Sequence, residues 1–449
     1  MEGLSNWKIS TLGLQHVLAM YAGAVIVPLI VGPAIGLTGK ELEYLISIDL
    51  FMCGIATLLQ VVGGKHIGVK LPVVLGCAFQ AVAPMITIGN VHGITAIYGA
   101  IICSGIVVVM LSQFMSKVMH FFPPIVTGSV VTIIGVTLIP VAMGNAAGGE
   151  GAPGFGNLQN FFLATITLVL IVLLNKFLKG YMRAISVLLA LVFGTVIAYM
   201  MGAVDFGDAK EASWIHAVKP FYFGIPTFNI SAIITMTIVA IVSMIESTGV
   251  FLALGEVCEK ELKSDNIKKG LRAEGMATAI GGVFNAFPYT SFSQNVGLVA
   301  LTKVKTRNVV IAAGVILIIL GLLPKVAAIT ATIPNSVLGG AMIAMFGMVI
   351  ASGIKMLSKV DFNRQENALI VAISVGIGLG SAVVPAFFQE LPDSIRLLVQ
   401  NGIVTGSVSA IILNVIFNFK ETKILQRNNS EREKALKMQG EEQGKNEVI

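Results

Sequence analysis

The stretch PYTSFSQNVGLVALT, residues 288–302, lies between apolar runs of membrane length and decides the fold. Pro288 has no backbone N–H to donate, and the residues that follow it, from 289 to 292, favour extended backbone. We therefore predict an extended segment here, followed by a helix that begins near Gln294. Extended backbone at bilayer depth has unsatisfied N–H and C=O groups unless it pairs with another extended segment or lines a polar cavity. The stretch thus predicts a broken membrane span with a partner elsewhere in the chain.

The composition is that of a polytopic membrane protein. Of the 449 residues, 55% are hydrophobic and only 12% are charged, and the mean hydropathy is +0.87. Soluble domains are about 25% charged, and a membrane-spanning helix needs about 20 mainly apolar residues. We therefore predict an all-α membrane protein with about fourteen spans, at 10–32, 43–63, 72–89, 93–113, 125–143, 160–177, 183–202, 229–254, 271–287, 289–302, 308–324, 332–353, 366–384 and 399–418.

Positive charge predicts the orientation of these spans. With both termini in the cytoplasm, 25 of the 30 basic residues fall on the cytoplasmic side, seven of them in the charged tail at 419–449. The outer side keeps Lys40, Lys210, Lys219, Lys325 and Arg396. Cytoplasmic loops carry an excess of Lys and Arg, so we predict a multi-pass protein of the plasma membrane with cytoplasmic N- and C-termini. The bilayer explains the net charge of +6, and we expect no nucleic-acid partner.

The first half of the chain contains a second stretch of the same kind, KLPVVLGCAFQAVAPM at 70–85. It opens with Pro72, continues through β-branched Val73 and Val74, and reaches Phe79 and Gln80 before a new apolar run. Pro72 and Pro288 are 216 positions apart, close to half the chain. Interrupted spans at corresponding positions of two halves are typical of inverted-repeat transporters with a site at the bilayer midplane. We expect the two extended segments to pair as short antiparallel strands in broken spans 3 and 10.

The half-helices that follow these strands predict the chemistry of the site. A helix N-terminus presents free N–H groups and about half a positive charge, so two of them facing one cavity suit carbonyl oxygens or an anion. Phe79, Ser293, Gln294 and Asn295 add a ring face, a hydroxyl and amides. This set suits a flat, oxygenated, hydrogen-bonding ring and suits a bare cation poorly.

Glu246, in IVSMIESTGVFLAL, is the clearest charge inside a predicted span. Carboxylates within membrane spans are rare and usually functional. Glu246 could exchange a proton and also accept hydrogen bonds from ring N–H groups. The alternative is a helix-packing carboxyl that is hydrogen-bonded to Ser or Thr.

Other polar residues in the predicted spans have structural interpretations, and all but Asp49 also have a functional one. Glu274 lies near the cytoplasmic end of its span and is either an interface residue paired with Arg272 or a loop lysine, or a second proton-linked carboxylate. Asp49 is interpreted as a structural tie within one half of the chain. Gln15 and His16, adjacent in the first span, either bridge helices as a satisfied polar pair or shape the site.

The sequence predicts neither an enzyme nor a metal site. The four cysteines form no C-x-x-C pair, and buried small hydrophobic side chains are their simplest interpretation. No H-E-x-x-H, G-x-S-x-G or Cys/His cluster is present in the sequence, which excludes the common hydrolase and metalloprotease motifs. We expect no cofactor.

Residues 294–303, QNVGLVALTK, resemble the signature of the nucleobase–ascorbate transporter family, also called nucleobase:cation symporter-2. That signature is Gln, Glu or Pro, then Asn-x-Gly, four residues, Thr, and a basic residue or Gly. Every defined position matches, at Gln294, Asn295, Gly297, Thr302 and Lys303. The resemblance extends over essentially the whole chain up to the tail and is closest to bacterial xanthine and uric acid permeases.

The resemblance assigns further residues. Gln15 and His16 match a second family motif, and Glu246 falls where the family has its substrate-binding carboxylate. Glu274 lies where the family carries another carboxylate, usually Asp. Ala78 and Phe79 sit where the family often has Ser-Phe beside the substrate, so that hydroxyl is absent here.

The resemblance also implies an architecture and a mechanism. Fourteen spans would form two inverted repeats of seven, with a core domain from 1–113 and 229–325, a gate domain from 114–228 and 326–418, and a cytoplasmic tail at 419–449. It implies homodimers in the lipid bilayer and transport coupled to protons, with sodium as the alternative. Family members with Glu at the position of Gln294 lean towards uracil, and those with Gln lean towards xanthine and urate.

The sequence therefore predicts a proton-coupled symporter that imports xanthine or uric acid by alternating access. The predicted substrate-binding residues are Glu246, Gln294, Phe79, Ala78, Ser293 and Asn295. Those predicted for proton coupling or for shaping the site are Glu274, Glu246, His16 and Gln15. The alternatives are a uracil permease of the same family and a channel or anion transporter with the same broken-helix architecture.

Overall fold

The computed structural model describes residues 5–115 and 121–418. The predicted cytoplasmic tail at 419–449 lies outside the described residues. Helices of at least eight residues are labelled in chain order: α1 Asn6–Ala34, α2 Gly39–Val61, α3 Val82–His92, α4 Ile94–Leu111, α5 Pro124–Ala146, α6 Leu158–Phe177, α7 Ser186–Met200, α8 Ile230–Val257, α9 Ser264–Val283, α10 Ser293–Thr302, α11 Arg307–Gly321, α12 Pro324–Ala331, α13 Asn335–Leu357, α14 Gln365–Val383 and α15 Gly402–Asn418. Two strands, β1 Leu75–Cys77 and β2 Tyr289–Ser291, complete the labelled elements.

The described part of the chain is mostly helical, and many of its helices could cross a membrane. Eight of the described helices are long and apolar enough, and the number rises to nine if α11 and α12, bent by 78° at their junction, count as one span. This is fewer than the predicted fourteen because several predicted spans are built from short or interrupted helices. Span 3, for example, consists of β1, a short 3₁₀ turn and the eleven-residue α3.

The two predicted extended segments pair with one another. β1 and β2 form an antiparallel sheet, and the register is Leu75 opposite Ser291, Gly76 opposite Thr290 and Cys77 opposite Tyr289. One further bond at each end extends the ladder, from the Ala78 N–H to the Pro288 carbonyl at 2.9 Å and from the Phe292 N–H to the Val74 carbonyl at 3.0 Å. The sheet satisfies backbone groups that would otherwise be unpaired at bilayer depth, which confirms the prediction of paired strands.

The two broken spans are equivalent, but the predicted alignment was wrong by two residues. Leu75 and Tyr289, the first strand residues, are 214 positions apart, whereas the prolines are 216 apart. Pro288 directly precedes β2, and Pro72 lies three residues before β1. The residues after the strands have nearly the same backbone conformation, with φ −79° and ψ 114° at Ala78 and φ −80° and ψ 116° at Phe292. Gln80 is therefore the counterpart of Gln294.

Asp49 connects α2 to both broken spans. Its carboxylate is 1% exposed, and it accepts hydrogen bonds from the Phe287 N–H at 2.8 Å and from the Cys77 thiol at 3.1 Å. We expected Asp49 to tie spans within one half of the chain. That expectation was wrong, because strand pairing brings Phe287, the residue before Pro288, next to α2 in the first half of the chain. The Phe287 N–H donates there to the Asp49 carboxylate.

Glycines allow three helix pairs to pack closely. An added Cβ at Gly353 of α13 would lie 2.6 Å from the backbone nitrogen of Thr132 in α5. Gly105 of α4 and Gly275 of α9 face each other in the same way, as do Gly54 of α2 and Gly314 of α11. Small residues at such crossings let helix backbones approach in a membrane. Each of these three pairs therefore packs a helix from the first half of the chain against a helix from the second half.

The 207–229 segment, which connects α7 to α8, docks on helices assigned to the core. The Phe223 N–H donates to Asn285 at 3.3 Å, and the Thr227 N–H donates to the carbonyl of Thr95, just inside α4, at 3.2 Å. The Tyr44 hydroxyl of α2 bonds to both backbone groups of Lys219. We placed most of this segment, up to residue 228, in the gate domain, but these hydrogen bonds are with α2, α4 and Asn285, which follows α9.

Asp49→Ala should destabilise the fold by about 1–3 kcal/mol, because it leaves the buried Phe287 N–H without an acceptor. Glu41→Ala, in the exposed first turn of the same helix, is the matched control and should leave stability unchanged. The thermal midpoint of the detergent-purified protein measures both effects. A normal midpoint for Asp49→Ala together with lost transport would show that Asp49 is functional and not structural.

Candidate functional site

Glu246 lies where both halves of the chain meet. Its Oε2 accepts a hydrogen bond from the Gln80 side-chain amide at 3.1 Å and one from the Thr290 hydroxyl at 3.5 Å. Gln80 also donates to the Ser243 hydroxyl at 2.6 Å. The carboxylate of α8 is thus held by the first half-helix and by β2. Gln80 was quoted in the sequence pattern but was not predicted as a site residue; its equivalence to Gln294 is the signal that could have found it.

The Glu246 cavity lies between these elements and the α5–α13 pair. Phe79, Gln80 and Glu246 form one side, and the remaining lining residues are Phe122, Thr127, Val130, Val131, Ile134, Val242, Ile245 and Val349. The cavity has a volume of only about 30 Å³. The structure therefore brings together two of the predicted substrate-binding residues, Phe79 and Glu246, in a space the size of about one water molecule.

Gln294 lies in a different cavity. That cavity, of about 390 Å³, is bounded by α1, α7, α10 and α13, and its lining includes Gly23, Arg183, Phe292 and Met345. The Gln294 side chain is exposed and makes no hydrogen bond to any described residue. We expected Gln294 and Glu246 to face one space. The structure separates them because the strands are antiparallel, so the two equivalent half-helices start at opposite ends of the sheet.

An aromatic pair separates the two cavities. The rings of Phe79 and Phe292 are nearly parallel, with an interplanar angle of 13° and centroids 6.3 Å apart. Phe79 lines the Glu246 cavity and Phe292 lines the Gln294 cavity. The Phe292 ring lies over Gly76, where an added Cβ would be 2.5 Å from its Cζ. Phe292 was not among the predicted site residues, although it immediately precedes the second half-helix, as Ala78 precedes the 3₁₀ turn of the first broken span.

Two other predicted contacts line neither cavity. Ala78 is fully buried, and its N–H is bonded to the Pro288 carbonyl as part of the strand ladder. Ser293 is exposed at the start of α10 but is absent from both linings. Both residues flank the strand ends, so they shape the half-helix starts.

Asn295 contacts a helix and does not face either cavity. Its side chain is 1% exposed, and its amide donates to Nδ1 of His16 at 3.0 Å and to the His16 carbonyl at 3.1 Å. An Nδ1 that accepts places the ring hydrogen of neutral His16 on Nε2. The two motifs at Gln15–His16 and Gln294–Asn295 are therefore joined by one contact between α1 and α10. Gln15 itself is half-buried, and its side chain makes no hydrogen bond to any described residue.

Glu274 lies in the middle of α9. This helix begins at Ser264, seven residues before the predicted span, so it extends well beyond Glu274 in both directions. Glu274 is 2% exposed and one of its oxygens, Oε2, has no hydrogen-bond partner. Arg272 does not pair with it and instead donates to the His66 carbonyl at 2.8 Å. The interface-pair interpretation of Glu274 was therefore wrong.

Hydroxyl groups lie between the two carboxylates. Thr290, which donates to Glu246, is 3.2 Å from the Ser247 hydroxyl. Ser247 in turn accepts from the Ser291 N–H at 3.0 Å and lies next to Glu274. The row Glu246, Thr290, Ser247, Glu274 runs from α8 across β2 to α9, and it consists of groups that can both donate and accept protons.

No group of three or more His, Cys, Asp or Glu side chains that could hold a metal ion occurs among residues 5–115 and 121–418. The four cysteines are free thiols.

The Asn295–His16 contact should appear as a coupling in stability. His16→Ala and Asn295→Ala should be non-additive by about 0.5–3 kcal/mol in a double-mutant cycle, because each removes the same buried hydrogen bonds. The thermal midpoints of the four purified proteins give the coupling. Gln15→Ala combined with Asn295→Ala is the control and should be additive. Additive effects for His16 and Asn295 would contradict the contact.

Residues 7–387 match the model of a family described as a permease family. The chain is 57% identical to the xanthine permease of Bacillus subtilis, over 94% of this chain and 96% of that protein. It is 56% identical to the uric acid permease PucK of the same organism, over 92% of this chain and 96% of PucK.

Among solved structures, the transmembrane domain of the cyanobacterium bicarbonate transporter BicA matches with a TM-score of 0.57 at 15% identity, covering 90% of this chain and 97% of that domain. The likeness shows a shared fold. The relatives carry the names of permeases and transporters, which confirms the prediction that the chain is not an enzyme. The chain belongs to the nucleobase–ascorbate transporter family, whose signature it carries from Gln294 to Lys303.

Proposed function

We propose that the protein is a secondary transporter that imports an oxidised purine, xanthine or uric acid, with protons. The observation that carries the proposal is the carboxylate of Glu246, which both halves of the chain hold at the edge of a cavity beside Phe79. The names of the two curated relatives support the purine class.

The groups around the two cavities match the chemistry of such a ring. Glu246 accepts hydrogen bonds from ring N–H groups, and the amides of Gln80 and Gln294 can both donate and accept. The rings of Phe79 and Phe292 are nearly parallel, and each has a face on which a purine ring can stack. The first-turn N–H groups of the half-helices suit carbonyl oxygens. Ala78, Ser293 and Asn295 support these groups through the backbone and through α1.

Binding requires movement, since a purine has two fused rings and the Glu246 cavity holds about 30 Å³. We propose that α5 and α13, as parts of the gate domain, move away from α8 and the half-helices when substrate enters. The full architecture would be fourteen spans in two inverted repeats of seven. A substrate shifts such an equilibrium only by binding one state more tightly than the other, and a ring between Phe79 and Val349 does so by holding the gate open.

The row of groups from Glu246 through Thr290 and Ser247 to Glu274 supports proton coupling. A proton that leaves Glu246 when substrate binds can pass along hydroxyl groups to the second carboxylate, whose Oε2 has no partner. Sodium is the alternative coupling ion. His16 supports the site indirectly, because it fixes Asn295 and hence the start of α10. We further propose a homodimer in the plasma membrane with both termini cytoplasmic.

Glu246→Gln should keep the fold and abolish accumulation of labelled xanthine and urate. The amide keeps the shape of the side chain but removes the ionised acceptor and the exchangeable proton. Uptake into cells that lack their own purine permeases, at matched surface expression, measures the effect, and exposed Glu366→Gln is the control. Normal accumulation by Glu246→Gln would overturn the assignment. Competition by unlabelled uracil in the same cells tests the pyrimidine alternative.

Gln294→Glu should reduce urate uptake further than xanthine uptake. Urate is an anion near neutral pH and xanthine is mainly neutral, so a new carboxylate on the wall of the Gln294 cavity repels urate. The gap between the two substrates should widen as pH rises and the new carboxyl ionises. Measured uptake across a pH series checks this. Urate transport equal to wild type throughout would show that Gln294 does not contact the substrate.

A further inference from the structure

A third cavity, larger than the other two, lies at the N-terminal end of α2. It holds about 490 Å³ between the first turns of α2 and the 207–229 segment. None of its lining residues lines the Glu246 or the Gln294 cavity. On the topology predicted from charge it opens to the outside.

One wall of this cavity is aromatic and rigid. Tyr44 and Tyr222 are stacked with centroids 3.7 Å apart and an interplanar angle of 14°, and His216 meets Tyr44 edge-on at 5.5 Å. The Tyr44 hydroxyl donates to the Lys219 carbonyl at 2.8 Å and accepts from the Lys219 N–H at 3.1 Å. The residue Tyr222 is 39% exposed, so part of it remains available to a flat ligand.

The floor of the cavity carries an unused polar group. Ser47 is fully buried, and its hydroxyl has no hydrogen-bond partner, although buried hydroxyls are normally paired. At the mouth, the N-cap residue Thr38 makes no side-chain hydrogen bond to the first turn of α2. The Glu41 N–H of that turn donates to the Thr38 carbonyl at 3.2 Å, so the N–H groups of Gly39 and Lys40 are the donors that remain at the helix start. Ser47 and the N-terminus of α2 can therefore both donate a hydrogen bond to a ligand oxygen.

Charge on the outer side is concentrated here. Lys40 and Lys219 line the cavity, and Lys325, which follows the lining residue Pro324, donates to the Lys210 carbonyl at 2.9 Å. Two of the five basic residues assigned to the outer side thus line this cavity, and Lys210 and Lys325 are next in sequence to its lining residues Glu211 and Pro324. Glu43 and Glu211 also line it, so it offers acceptors as well as donors. This mixture suits a ring with both carbonyl and N–H groups better than a simple anion.

We propose that this cavity is an outer binding site for the transported oxidised purine, which loads there before it reaches Glu246. The inference rests on the proposed function. The ring stacks on the Tyr44–Tyr222 wall, a carbonyl oxygen accepts from Ser47 and from the start of α2, and ring N–H groups donate to a carboxylate at the rim. Lys40 and Lys219 raise the local concentration of urate by electrostatic attraction.

Protection of an introduced thiol tests the site. Ala217→Cys, at an exposed position that lines the cavity and has no assigned contact with the ring, should react with a small methanethiosulfonate reagent in otherwise full-length protein in membranes, and xanthine should slow the reaction. Protection should persist in the Glu246→Gln background. Thr127→Cys, which lines the Glu246 cavity, is the paired reporter, and its protection should be lost in that background. The parent chain gives the background from native cysteines, and Ala152→Cys in an outer loop is the unprotected control.

Tyr222→Ala should raise the xanthine concentration that protects Ala217→Cys about fivefold or more, since aromatic stacking contributes at least this much per base. Tyr222→Phe keeps the ring and should match the parent. Protection of Ala217→Cys that disappears with Glu246→Gln, or that is absent from the start, would overturn the proposal. Uptake by the wild-type chain is measured in parallel. If the wild type transports xanthine while Ala217→Cys is unprotected, the outer site alone fails; absence of uptake would instead sink the proposed function.

Discussion

The hydrogen bonding of six backbone residues in β1 and β2 is the constraint on which the rest of the structure depends. An unpaired backbone group in the hydrocarbon region costs several kcal/mol, so neither broken span is stable at this depth alone. Strand pairing satisfies the backbone groups of both broken spans. One further hydrogen bond at each end, from the Ala78 N–H and from the Phe292 N–H, extends the ladder. Because a helical turn starts immediately after each strand, the sheet also fixes where the two half-helices begin.

The sheet gives the two half-helices equivalent backbone positions, but the side chains around the two positions differ. Gln80 and Gln294 correspond in the two halves, yet Gln80 faces the carboxylate of α8 and Gln294 faces α1, which supplies Gly23 and no acid. Among the residues that the structure describes, Glu246 is the only carboxylate that lines either of these two cavities. Two equivalent backbone positions thus have different surroundings. Under the proposed function, the Glu246 side binds the edge of the purine ring and the Gln294 side admits the ring. Phe79 and Phe292 lie between the two.

The helix pairs differ in how they contact the two-stranded sheet. Asp49 and the glycine crossings hold α2, α4, α9 and α11 around the sheet, and the docked 207–229 segment adds a cover on one side. The α5–α13 pair packs closely with itself through Gly353 and Gly135 but meets the sheet region across the Glu246 cavity, through apolar side chains such as Val130 and Val349. Apolar contacts without hydrogen bonds separate more easily than a strand ladder. Under the proposed function, this difference places motion at the Glu246 cavity, between the α5–α13 pair and the half-helices.

Local properties of the sequence determined much of this protein. Apolar length and charge predicted a multi-pass membrane chain, proline and β-branched residues predicted the paired strands, the isolated Glu246 predicted a functional carboxylate, and Gln294 to Lys303 predicted the family. The tertiary structure decided which side chains share a space. It placed Gln294 apart from Glu246, joined Asn295 to His16, put Glu274 in mid-helix, and brought Gln80 and Phe292 to the cavities. The reason is physical: chain composition sets whether a segment is buried, but the partner of a buried polar group depends on the crossing of helices more than a hundred residues apart, as it does for Gln80 and Glu246.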